Sequence, residues 1–347
     1  MSVPADASHP QATTMPATAE AWLWWSGYLL SLVLPLTSLA FLSGGPWPWW
    51  QALAWTLPVW LLIAADWHSP SLRRAPPAGL PRWPFDAILV ALGLLQPLNI
   101  FAMARLVSLT HWGDAAEVAE TLANLTAVRI LMGTTSCSAA IAPAHELIHR
   151  RALWQRLLGR LLLCTVLYDH FAVSHRRLHH RHVNGEQDPA SARPGETYEH
   201  FFRRTALLQW RAAWALDRRD AALGATAEAL LLAAIGALYG PLALVMFVYQ
   251  ALAAVRLLEA VNYFQHWGLR GRNPGAWVCD SAVSLFVFLG LPRHADHHRH
   301  ALKPYQTLRC DDQGPKLWAG YLCMALLVKN RCHVFRAKAD AQLAGGP

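Results

Sequence analysis

The sequence predicts an all-α integral membrane protein: about six transmembrane helices in three hairpins, beneath a cytoplasmic helical cap rich in histidine. Three observations predict it. Of 347 residues, 54% are apolar and only 15% charged, well below the roughly 25% usual for a soluble domain. Six stretches are apolar over about the 20 residues that a hydrocarbon core requires. Lysine and arginine keep to one set of connections.

The spans read 21–43, 48–65, 85–109, 122–144, 222–239 and 241–264. A GGP turn at 44–46 closes the first hairpin and YGP at 239–241 closes the third; glycine and proline are the expected punctuation. Residues 157–167 and 283–291 are apolar but short, as buried or interfacial segments are. Residues 1–72 contain no lysine or arginine, and the 111–120 connection carries three acids and no base. By contrast, 150–219 carries 13 arginines. Basic residues concentrate on the cytoplasmic side, so both termini are expected inside a bacterial cytoplasmic membrane. The net charge of +8 then records topology and contact with anionic headgroups, not nucleic-acid binding. Residues 1–20 lack a basic leader and read as a disordered tail. Residues 21–338 form one membrane-embedded domain, and 339–347 a flexible tail. Tryptophans cluster at span ends (Trp22, Trp24, Trp25; Trp47, Trp49, Trp50), as in an interfacial aromatic belt. The six cysteines form no C-x-x-C pair, which excludes a rubredoxin-like or zinc-ribbon module within the chain.

Chemistry lies in the 17 histidines, 11 of which fall in four compact groups on the basic side. HELIHR holds His145 and His149, four apart and so on one helical face. HRRLHHRH holds His175, His179, His180 and His182. NYFQHWGL holds His266. LPRHADHHRH holds His294, His297, His298 and His300. Unpaired imidazoles packed together repel if protonated and are costly to bury if neutral; a metal removes both problems. So many rings suggest two metals with four or five imidazoles each. No cysteine sits among them, against copper(I) and iron–sulfur clusters. Iron suits imidazole and could reduce O₂, whereas a dizinc site would be hydrolytic. A rival is the H-E-x-x-H zinc protease motif, with Glu146 as general base; it leaves the other groups without a task. A metal carrier would need ionisable gates along the spans, which contain almost none.

These motifs resemble the membrane alkane hydroxylases, the alkane 1-monooxygenase branch of the fatty-acid desaturase/hydroxylase superfamily. HELIHR resembles the first box of that branch. HRRLHH with GEQDPASARPGET resembles the second and its EDPAS-type continuation. NYFQHWGL resembles N-Y-x-E-H-Y-G-L, an element desaturases lack, and LPRHADHHRHALKPYQTLR resembles the third box. The resemblance covers roughly residues 82–328. It implies nine ligands for two non-haem irons: His145, His149, His175, His179, His180, His266, His294, His297 and His298. His182 and His300 fall outside the box pattern. The implied reaction is O₂-dependent hydroxylation of an unactivated terminal C–H bond, a medium-chain alkane giving a 1-alkanol. An external rubredoxin or ferredoxin with its reductase would supply electrons. Arg203, Arg204, Arg218 and Arg219 are candidates to dock an acidic carrier.

Gln265 and Trp267 replace the usual Glu and Tyr. The lost carboxylate could be covered by Glu259 or Asp280, or could mark another substrate. Methyl-group hydroxylation of alkyl aromatics, as by the xylene-monooxygenase type, therefore stays open, as does fatty-acyl desaturation or decarboxylation on the same scaffold. Glu146, Asp188, Asp296 and Glu259 are the candidate carboxylates for holding ligand imidazoles in orientation. Trp55 or Trp60, in the second span, is either a cap on a substrate channel or ordinary packing.

Overall fold

A computed structural model describes residues 17–271, 275–311 and 313–345. Among these residues the chain is helical without strands; its β-structure is two isolated bridges, Ser71–Ser281 and Val278–Lys316. Among the described residues, four helices are long and apolar enough to cross a membrane. The expectation of six spans is modified at two places, each with a local cause.

The first long helix, α1 (Thr18–Gly44), takes a 3₁₀ turn at Leu29–Leu32. The second expected span is not continuous. It divides into α2 (Trp49–Ala54) and α3 (Leu57–Trp67). Pro58 has no N–H to offer the Ala54 carbonyl and its ring crowds that group. Next come α4 (Trp83–Ser108) and α5 (Ala115–Leu147). Asp114 caps α5 by accepting from Ala116 N (2.9 Å) and Glu117 N (3.0 Å), and Glu117 Oε2 accepts in return from Gly113 N (2.9 Å). This reciprocal cap starts the helix seven residues before the apolar run. The short α6 (Leu153–Cys164) turns Leu153, Trp154, Leu157 and Leu161 outward, each more than half exposed. An outward apolar stripe beside Arg156 and Arg160 suits a helix lying in the membrane interface.

After segment 171–182 comes α7 (Tyr198–Leu216), capped by Thr197, and then α8 (Arg218–His266). The fifth and sixth expected spans both lie in α8, which leaves helical geometry at Gly240 (φ 85°, ψ 177°). That backbone region is essentially reserved for glycine, and Pro241 follows. The bend is sharp: a Cβ on Gly236 would lie 3.4 Å from the Leu244 side chain, although eight residues of straight helix rise about 12 Å. The remaining helices are α9 (Ala282–Val287), α10 (His294–Arg299) and α11 (Tyr321–Ala344).

The core lies where α8 packs against α4, α5, α7 and α11, with α1 laid on α4 and α5. Leu94, Leu98, Leu230, Leu238 and Val245 point outward on the long helices, as lipid-facing residues do. Trp22, Trp49 and Trp50 are also exposed, but Trp24 is core. A buried carboxylate ties the ends together. Asp66, at the end of α3, accepts from Ser281 Oγ (2.9 Å), Ser284 Oγ (2.6 Å) and Leu322 N (2.9 Å), so it caps α11 from a distant part of the chain. The segment expected to be a flexible C-terminal tail begins inside α11: Ala339 is buried, and Asp340 accepts from Trp267 Nε1 at 2.6 Å. Of the expected N-terminal tail, residues 1–16 lie outside the described residues, while 18–20 already belong to α1.

Candidate metal centre

Two departures from α-geometry shape the site. α5 widens into a π turn at Cys137–Ile141, two turns before His145. Segment 171–182 does the same at His175–His179. A π turn bonds i to i+5 and so stacks residues five apart. It therefore aligns His175 with His180, whose Nε2 atoms are 3.0 Å apart, and releases His179 to the other side. A plain α-helix would instead pair His175 with His179.

The result is two adjacent groups of imidazoles. His145, His149, His175, His180 and His297 form one; His179, His266, His294 and His298 form the other. Within each group one ring nitrogen per residue lies within 4.8 Å of all the others. The two meet where the His180 and His298 rings stand 4.5 Å apart. Helix α10 serves both, with His294 and His298 on one side and His297 on the other. His182 is half-buried and His300 exposed, 4.0 Å from Asp296; neither joins a group.

Burial pushes the imidazoles of His149, His175, His294, His297 and His298 well below the ordinary histidine range, and mutual repulsion pushes them further. They are neutral, the form in which imidazole ligates metal. The Nε2 atoms of His145, His149, His179 and His266 are buried without a partner. Orphaned buried nitrogens demand an explanation, and a cation between them supplies one. The donors are all imidazole, with neither thiolate nor carboxylate among them, which suits iron, zinc, copper or nickel.

One loop orients two of the rings. The Asp188 carboxylate, which only accepts, receives a hydrogen bond from His179 Nδ1–H at 3.0 and 2.9 Å. Asn184 Nδ2 donates to Gly275 O at 2.7 Å, so its Oδ1 faces His266 Nδ1 at 3.0 Å and accepts from it. Ser191 links the two, accepting from Asn184 N (3.0 Å) and donating to Asp188 Oδ2 (2.6 Å). Asn184 was not singled out in the sequence: its Asn-Gly dipeptide signals a turn, and nothing local announces a contact 82 residues away. Asp188 is held below the ordinary carboxylate range; burial opposes this, and the His179 ring and Ser191 outweigh it.

The other candidate carboxylates meet different partners. Glu146 pairs with Arg150 (2.8 Å) and accepts from Tyr305 N (3.4 Å). Asp296 pairs with Lys303 (2.6 Å) and accepts from Arg309 N (2.7 Å). Glu259 accepts from Tyr168 Oη (2.8 Å), Gln209 Nε2 (2.9 Å) and Asn262 Nδ2 (3.0 Å). Gln265 bonds Tyr321 and the Leu291 carbonyl. Asp280 lies out at Ser71 (2.8 Å). It is Asn184 that fills the place beside His266 for which Glu259 and Asp280 were candidates.

A narrow apolar cavity reaches both groups. Its wall includes Ile141, Phe171, Leu258, Val261 and Leu291, with His145 and His175 from one group and His294 from the other. Phe171 stacks on His175 at 4.6 Å. Trp55 and Trp60 are not there. Trp55 packs on Trp47 and Phe41, and Trp47 bonds Asn124, 21 residues and about 30 Å of helix from His145. Trp60 is half exposed. A second cleft, with Arg82, Arg150, Arg151 and Gln155 among its lining residues, reaches His149. Of the arginines expected to dock a carrier, Arg204 is occupied by Glu196 at 2.8 Å, while Arg203, Arg218 and Arg219 are exposed.

Residues 119–310 match the family described as fatty acid desaturase. Alkane 1-monooxygenase 1 of Pseudomonas aeruginosa is 30% identical over 253 residues, covering 66% of this chain and 64% of the relative. Alkane 1-monooxygenase of Acinetobacter baylyi is 29% identical, covering 54% and 52%. The chain thus spans less than two thirds of the length of these relatives. The xylene/toluene monooxygenase hydroxylase component of Pseudomonas putida is 24% identical over 86% of this chain and 84% of its own.

Proposed function

The chain belongs to the fatty acid desaturase family, and on that premise we propose that it is a non-haem di-iron monooxygenase hydroxylating the terminal carbon of a medium-chain alkane. The observation that carries this is the grouping of nine imidazoles, five and four, around an apolar cavity. In the overall reaction the alkane, O₂, two electrons and two protons give a 1-alkanol and water. Two iron ions, when bound, supply the redox chemistry that cleaves O₂ and delivers one of its atoms to carbon.

The chain's residues do the rest. The nine histidines hold the metals, and Asp188 and Asn184 keep two of the rings turned inward. Phe171, Leu258, Val261 and Leu291 receive the hydrocarbon and exclude water, so an apolar substrate passes from the bilayer to the metals without leaving an apolar environment. Rubredoxin or ferredoxin, reduced by its own reductase, docks on the cytoplasmic face, where the cleft of Arg82 and Arg151 over His149 offers positive charge beside a ligand. The enzyme sits in a bacterial inner membrane with this face and both termini cytoplasmic.

The xylene/toluene relative, aligned over more of the chain than the alkane enzymes, favours the methyl group of an alkylbenzene as a second substrate class. The zinc-protease reading loses ground because His145 and His149 share their group with three further histidines, and Glu146 is ion-paired to Arg150. The test is metal analysis of purified protein together with product analysis on alkanes and alkylbenzenes, with a reconstituted electron supply. Near two irons per chain and a primary alcohol are expected. A single zinc, or an alkene product, sinks the proposal.

A further inference from the structure

The two histidine groups differ in how firmly their rings are set. In the four-histidine group, His179 and His266 each have Nδ1 bound to an acceptor fixed by further hydrogen bonds, and each leaves Nε2 buried and unpartnered. Both acceptors come from the loop containing Asn184, Ser191 and Asp188, itself bonded through as one chain. In the five-histidine group, among the described residues, the ring nitrogens bond only to one another: His180 to His175 at 3.0 Å and to His297 at 3.2 Å. Asp188 also gives one group a direct carboxylate hydrogen bond that the other lacks among the described residues. A ring already in its ligating tautomer and orientation loses less freedom on binding, and an anionic partner raises its basicity.

Building on the paired-metal reading, we infer that the two halves bind metal unequally: the four-histidine half is the tighter and fills first, and Asn184 is a positioning residue for it. Asn184 is suited to the place because it sits at φ 60°, a left-handed conformation that asparagine tolerates, and because its amide can accept from His266 while donating to Gly275.

The experiment is a titration of the metal-free, full-length protein in detergent with cobalt(II), followed by calorimetry and by the absorption bands of the bound ion. Two equivalents are expected, the first tighter by at least about tenfold, the low end of the effect of such orienting contacts. His266→Ala removes the tight phase and leaves the weak one; His149→Ala does the reverse. Asn184→Gly keeps the left-handed backbone but removes the acceptor, and it weakens the first equivalent by about 10–100-fold with the second unchanged. Asn184→Asp, which keeps an acceptor oxygen, restores it. Equal affinities in the wild type, loss of the tight phase in His149→Ala, or an unaltered first phase in Asn184→Gly would each overturn the inference while leaving two metals in place. Fewer than two equivalents in the wild type would overturn both readings.

Discussion

His179 and His180 are neighbours in sequence and serve different halves of the site. The split follows from the π turn, and it makes a prediction at the scale of one side chain. His298→Ala removes a ring from the four-histidine group, so bound iron should fall from about two toward one per chain and hydroxylation should be lost. A protease built on HELIH would tolerate the change. Elemental analysis and alcohol formation on the same preparation check this. A second prediction concerns Glu196. Burial alone would raise its pKa, but the Arg204 guanidinium, Arg193 N and His200 outweigh burial and hold it below the ordinary value. A carboxylate so depressed contributes stability that is complete above its unfolded pKa of about 4.3 and is lost as pH falls through the folded value. Glu196→Gln should therefore lower Tm at pH 7, and the gap to wild type should narrow as pH falls below the unfolded pKa and close below the folded one. At this scale the sequence singled out eleven clustered histidines, because boxes of like residues stand out in an apolar chain, and the resemblance narrowed them to the nine that the structure groups. It did not show their division, because helical spacing assumes 3.6 residues per turn, nor Asn184, whose contact with His266 exists only after folding.

Among the elements, the breaks carry as much information as the helices. The hydrophobic run at 48–65 is unbroken by hydropathy, yet Pro58 divides it, since a hydropathy sum does not register a missing backbone donor. The turn read at 239–241 coincides with the departure of Gly240 from helical geometry inside α8. An alanine there must adopt a backbone region that costs roughly 1–3 kcal/mol. Gly240→Ala should lower thermal stability by about that much and leave metal content unchanged, because His266 lies 26 residues away. Thermal melts and iron analysis separate the two effects. Asp66 acts between elements. Asp66→Ala leaves two serine hydroxyls and the first turn of α11 without their acceptor, and the expected loss is about 1–3 kcal/mol, read as a lower Tm in detergent. Nothing in the local sequence announces that a residue near the end of α3 caps a helix 256 residues later.

Over the whole molecule, composition foretold the long apolar helices. An apolar exterior is a property of a sum, and sums survive ignorance of the fold; the run of basic residues sets only the expected orientation. The proposed topology makes a matching prediction. A single cysteine placed in the 239–241 turn of a cysteine-free background should react with an impermeant thiol reagent in intact cells. One placed at Leu343 should react only after the membrane is opened. The reverse pattern would move the histidines to the outer face and deny them an intracellular electron source.

The lipid-facing stripe of α6 begins at Leu153, four residues after His149. Under the proposed function, that puts the metal centre near the depth of the glycerol backbones and not at the bilayer midplane. The medium-chain alcohol of the proposed reaction is an amphiphile born at the level where amphiphiles come to rest, its hydroxyl among the headgroups and its tail among the acyl chains. It would spread sideways through the leaflet before reaching water, and the next catalyst to meet it would have to be one that also works on the membrane surface.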